Sequence, residues 1–181
     1  MCVTFLIVVL SVIFFWAMGF SLNITKSMPR GLYRLSENFD PYNLQGKIIS
    51  FCPDQDKPII KIAAERKYLK TSGLCPENIK LVLKIVVGIP GDHIRTGTNV
   101  AINGELIPFS NIRETDSMGR KMPGITPRNI ILGRDEYWVM APGINSFDSR
   151  YFGSIRLNQI IGVSQPVWLF EDWRETDEPG T

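Results

Sequence analysis

Near the amino terminus, Val3 to Phe20 reads V-T-F-L-I-V-V-L-S-V-I-F-F-W-A-M-G-F, and no charged side chain occurs before Lys26. As a helix these 18 residues would span ~27 Å at 1.5 Å each, about the hydrocarbon thickness of a bilayer. Two readings stay open. One is an uncleaved membrane anchor. The other is a removed signal peptide, with Ala17-Met18-Gly19 as a small-residue cleavage site. The stretch before the run carries no Lys or Arg, and the run exceeds a usual signal core, which favours the anchor. A buried core helix fits poorly, because no polar face exists. The expected organisation is an anchor or signal segment over 1–22, a β-rich domain over 23–170 and an acidic tail over 171–181.

The chain has 181 residues and a net charge of +2. The tail E-D-W-R-E-T-D-E-P-G-T holds five acids and one base, so the rest of the chain is basic. That excess suits an anionic membrane surface and is too weak and scattered for nucleic acid. Cys52 and Cys75 sit in F-C-P and L-C-P. Their spacing does not fit a metal knuckle, and the single histidine, His93, cannot complete a zinc set with them. Behind an export segment they suit a disulfide, which requires an oxidising compartment; two buried thiols are the alternative. Topology is contested. Lys26, Arg30 and Arg34 follow the apolar run and nothing charged precedes it, which by the positive-inside rule puts the domain in the cytoplasm. A disulfide puts it outside.

After the apolar run the chain reads as short strands between turns, a mainly-β domain of short antiparallel strands preceded by one N-terminal transmembrane helix. Strands are expected at 46–52, 81–87, 136–140, 154–157, 160–163 and 166–170, with a short helix at 65–70. Asn99 to Ile107 should form a hairpin, since Asn103-Gly104 accepts the positive φ angles of a tight turn. Ser110 to Gly133 reads as a long loop.

Lys84 is the odd residue of the best strand, L-V-L-K-I-V-V, and shares a face with Val82 and Val86. An edge-strand lysine in water is the plain reading. A desolvated amine is the chemical one, since burial lowers a lysine pKa and a neutral lysine is a general base. A serine nucleophile needs such a base, and a Ser-Lys pair is the known alternative to a triad. His93 follows the turn Pro90-Gly91-Asp92 and reads as a turn or surface residue. Ser27, in N-I-T-K-S-M-P-R-G-L-Y-R, is either a linker hydroxyl or that nucleophile.

Three segments in order, Ser27-Met28-Pro29 after the apolar run, Lys84 to Asp92, and Asn145 to Gly153, resemble the boxes of bacterial signal peptidase I, a serine protease family. S-M-P-R-G-L-Y-R, the two C-P pairs and F-D-S-R-Y-F-G are closer to its conjugative-transfer branch, the TraF type. The resemblance implies a signal-peptidase-like complex β fold and no cofactor. It implies Ser27 as nucleophile and Lys84 as base, with Thr25 joining the Ser27 N–H in an oxyanion hole. Ser146 would orient the lysine, and Asp148 and Arg150 would form a structural ion pair. Gly88, Gly91 and Gly153 would serve backbone geometry. It also implies work on the outer face of a bacterial inner membrane, which agrees with a Cys52–Cys75 disulfide. Its substrate would be a membrane-bound pilin precursor or other pre-protein, with contacts to the conjugation apparatus. Lys26 departs from the small residue usual in general signal peptidases, and Ala141-Pro-Gly-Ile144 departs from their usual G-D-N. The alternatives are a general signal peptidase and a non-catalytic anchored subunit; a self-cleaving repressor would need a DNA-binding helix-turn-helix, which is not visible.

Overall fold

The computed structural model describes residues 4, 5, 10, 18–71, 73–143 and 145–170. Most of the apolar run and the whole acidic tail, and with them the anchor and tail readings, lie outside the described residues. Among the described residues no helix is long and apolar enough to cross a membrane.

The domain is mainly β and antiparallel. One sheet has seven strands: β1 (Phe20–Asn23), β2 (Gly31–Ser36), β3 (Ile48–Phe51), β4 (Val82–Gly88), β9 (Glu136–Met140), β10 (Ile155–Arg156) and β11 (Ile160–Leu169). They run in the order β1-β2-β11-β3-β4-β9-β10. The second sheet pairs β5 (His93–Thr96), β6 (Val100–Ile102), β7 (Glu105–Leu106) and β8 (Arg128–Ile131) in the order β7-β6-β5-β8. The main core gathers Ile49, Phe51, Ile60, Val86, Val139 and Tyr151. A smaller core around Ile94, Val100 and Trp138 sits under the second sheet.

β4 shows how sequence becomes position. Its branched residues favour an extended chain, and alternation puts Lys84, Val86 and Gly88 on one buried face. β4 lies inside the sheet, with Lys84 opposite Ile49 of β3, and is not an edge strand. The edge-lysine reading is thereby excluded. The Asn103-Gly104 turn joins β6 to β7, and both residues have positive φ.

Several elements differ from the sequence reading. The helix is Pro58–Glu65, not 65–70. Pro58 presets the first helical turn, Ile60 and Ala63 supply the buried stripe, and Lys67 at φ 62° ends it. The segment 110–133 contains β8, which borders β5. The strands expected at 160–163 and 166–170 are one ten-residue strand, β11. Pro166 cannot donate to a ladder, and the register with β2 shifts between Pro166 and Trp168 to accommodate it. β1 and β2 were not expected at all. Gly31 is fixed by their close approach to β11: a Cβ there would stand 2.2 Å from the Trp168 carbonyl oxygen.

The cysteines are paired. Cys52, just past β3, is disulfide-bonded to Cys75 with their Cα atoms 5.5 Å apart.

Candidate active site

β1 and β2 form a hairpin, and Ser27 lies in the connection between them. It therefore sits in a loop tied at both ends to the sheet, not in a free linker. Asn23, the last residue of β1, organises that loop. Its Oδ1 accepts from the Thr25 backbone N–H at 3.1 Å and from the Thr25 hydroxyl at 2.6 Å. Its Nδ2 donates to the carbonyls of Met28 at 3.1 Å and Pro29 at 2.9 Å. The buried Tyr33 hydroxyl also donates to the Pro29 carbonyl, at 2.8 Å, and burial raises its pKa, keeping the donor protonated. Met28 is buried beneath the loop. Sequence reasoning missed Asn23 and Tyr33. The available signal for Asn23 was its place two residues before Thr25, the spacing of an Asx turn.

Lys84 enters from β4 and is 3% exposed. Its Nζ donates to Ser146 Oγ at 2.8 Å. Desolvation pushes the amine down from 10.5 to about 8; Asp148 pulls it back up and Arg150 pushes it further down. Lys26 is exposed and is not among the charges acting on it.

Ser146 is itself buried and held by the segment that follows. Asp148 and Arg150, both with side chains fully buried, form a two-point ion pair. Arg150 Nε meets one Asp148 oxygen and Nη2 the other, each at 2.8 Å. Burial works against the Arg150 charge, but Asp148 outweighs it and raises the Arg150 pKa. Nη2 also donates to the carbonyls of Gly143 at 2.9 Å and Ser146 at 3.4 Å, while Asp148 accepts from the Ala141 N–H at 3.1 Å. The pair thus ties β9 to the loop that presents Ser146 to Lys84. Gly153, at φ 81°, closes the single helical turn Ser149–Phe152 behind it in a backbone shape that disfavours side chains.

Ser27, Thr25, Lys84 and Ser146 all line one cleft of about 830 Å³. The structure thus gathers the four residues expected to do chemistry, with Asp148 and Arg150 buried behind them. Thr25 Oγ1 lies 3.4 Å from Ser27 Oγ. The single Thr25 hydroxyl proton is given to Asn23, so Thr25 meets Ser27 as an acceptor here. To donate to an oxyanion, that hydroxyl must turn away from Asn23. His93 is exposed on β5 and does not line the cleft.

A domain of this β architecture, with a serine loop, a buried strand lysine and a hydroxyl partner in one cleft, matches a known class. The chain belongs to the signal peptidase family, peptidase S26, whose profile matches residues 1–169. It is 36% identical over 151 residues to the plasmid transfer protein TraF of Escherichia coli, covering 82% of each chain. It is 32% identical over 159 residues to a probable conjugal transfer protein TraF of Sinorhizobium fredii, covering 86% of this chain and 80% of that one. A shorter match, 32% over 93 residues, joins it to signal peptidase I V of Bacillus subtilis, covering 46% of this chain and 55% of that one.

Proposed function

We propose that this chain is a membrane-anchored serine endopeptidase with a Ser27–Lys84 dyad, acting in the periplasm on a pilin precursor during conjugative transfer. The single observation that carries the chemistry is the Lys84 amine. It is buried, bonded to Ser146 and set in the same cleft as Ser27. The conjugative setting rests on the TraF relatives. The periplasmic setting rests on the disulfide.

Neutral Lys84 takes the Ser27 proton as Ser27 Oγ attacks the scissile carbonyl. The new oxyanion is held by the Ser27 N–H and the turned Thr25 hydroxyl. As the C–N bond breaks, Lys84 returns its proton to the leaving amine, and an acyl-Ser27 ester remains. Water attacking that ester gives a linear product and free Ser27. Attack by the substrate's own amino terminus gives a cyclic one. Ser146 holds the amine in place in the cleft that Ser27 lines, and Asn23 keeps the Thr25–Pro29 backbone in place. Next to this loop β1 is an outer strand of the seven-stranded sheet, an edge beside which a substrate strand can add.

The test is cleavage of a pilin precursor by the detergent-solubilised full chain, followed by mass spectrometry. Cleavage that is lost in Ser27→Ala supports the proposal. Cleavage of many unrelated pre-proteins at equal rates would favour a general signal peptidase instead.

Two further outcomes are expected. An amine at about 8 gives kcat/KM an acid limb that rises tenfold per pH unit up to about 8 and then levels. A profile flat from pH 5 to 9 contradicts the lysine base. Asn23→Ala frees the nucleophile loop, and processing should fall roughly ten- to a hundredfold, because misplacement of that order costs as much. The folded domain should lose only about 1–2 kcal/mol in denaturant titration.

A further inference from the structure

We infer that the substrate segment seated in the cleft carries acidic side chains, and that Lys67, Lys70 and Lys80 select it. The inference rests on the cleft being the peptidase site proposed above.

The charge of the cleft wall is one-sided. Besides Lys84, it is lined by Lys67, Lys70, Lys80 and Arg113, and among the described residues by one carboxylate, Asp116. Asp116 is spent within the protein. It accepts from the Tyr68 hydroxyl at 2.6 Å, from Arg120 Nε at 2.7 Å and from the Met118 and Arg120 N–H groups at 2.9 Å each. Arg113 donates to Asn145 Oδ1. The three lysines are exposed, and none has a carboxylate within ion-pair distance among the described residues.

Their placement is built by the backbone. Lys67 has a φ of 62°, a shape that asparagine or glycine adopts with less strain, and it turns the chain out of the helix Pro58–Glu65. Lys70 and Lys80 are adjacent, since the Lys80 N–H donates to the Lys70 carbonyl at 2.8 Å. The neighbouring Thr71–Ile79 bridge and the Cys75 N–H to Ile79 carbonyl bond continue that pairing down to the Cys52–Cys75 disulfide. The disulfide thus anchors the arm that carries two of the lysines. Like charges lining one cleft repel one another, and an acidic ligand relieves that repulsion. These lysines line the same cleft as Ser27 and Lys84, which favours a peptide over a lipid headgroup as the anion.

The test uses the full-length Ser27→Ala protein, so that binding is read without turnover. The probes are two fluorescent peptides with the same small-residue core, one flanked by Glu and the other by Gln. The Glu peptide should bind roughly five- to tenfold tighter at low salt, a preference that shrinks at high salt. Combined Lys67→Gln, Lys70→Gln and Lys80→Gln should erase it while the melting temperature stays unchanged. Equal binding of the two peptides, or a preference that survives the triple change, overturns the inference. So does a triple change that leaves the peptides alone and lowers binding to phosphatidylglycerol vesicles, which would assign the lysines to lipid. If the Glu peptide is preferred yet the enzyme with Ser27 intact cuts no peptide or precursor, the selective cleft stands and the peptidase reading fails.

Discussion

Lys84→Met should abolish processing by roughly three to six orders of magnitude, the range seen when a base paired to a nucleophile is removed. The folded domain should stay at least as stable. Methionine matches the lysine stem in length and carries no charge. In the folded chain the amine is lowered from 10.5 to about 8, so folding releases its proton between those values. Below pH 8 the native state must bury a charged amine, at a cost of roughly 3 kcal/mol. That cost is complete below pH 8 and fades as pH rises towards 10.5. Replacing the lysine should therefore raise stability at pH 7 by up to about 3 kcal/mol, less about 1 kcal/mol for the lost Ser146 bond. The advantage should vanish near pH 10.5. Denaturant titrations at pH 7 and pH 10.5 check both signs. A variant that is less stable at pH 7 would show Lys84 to be a structural residue whose loss of activity follows from unfolding.

The second large effect is expected at the buried ion pair. Asp148→Ala or Arg150→Ala leaves one charge without its partner where neither side chain touches solvent. Such single removals cost about 3–5 kcal/mol, a large share of the ~5–15 kcal/mol that holds a domain together. Arg150→Ala also frees the Gly143 and Ser146 carbonyls, so the Ser146 loop should loosen and processing should fail with it. Replacing both residues by apolar ones should cost less than either single change, because no charge is then stranded. Thermal melting of the three variants reads this directly. Additive losses would mean that the two residues act independently, against the geometry.

Some of this was legible from the residues. The L-V-L-K-I-V-V run had to be a strand, and alternation alone put Lys84 on the face of Val86. Asn103-Gly104 fixed a hairpin, and Glu136–Met140 was recognised with its bounds. What alternation could not decide was which face was wet, and so whether Lys84 was an edge lysine or a buried amine. That depended on β3 and β9 flanking it. Other elements were hidden by local signals that tertiary context overrode. β1 begins at Phe20, inside a run whose unbroken apolarity has no strand period. Pro166 read as a break, yet a register shift lets β11 pass through it. The grip of Asn23 on Met28 and Pro29 is made with backbone carbonyls that only the closed hairpin brings to it. The proposed catalytic set came largely from motif order, since a lone serine, lysine or threonine in these contexts is commonplace.

The central claim is that Ser27 is a nucleophile and not a linker hydroxyl. It is tested most directly in cells producing a pilin precursor together with the full chain, with the precursor's mass measured for the unaltered protein and for Ser27→Ala at equal membrane abundance. The dyad account predicts a shortened pilin with Ser27 present and only the full-length precursor with Ser27→Ala. A shortened pilin of the same mass in both would contradict it and leave the cleft without its proposed chemistry.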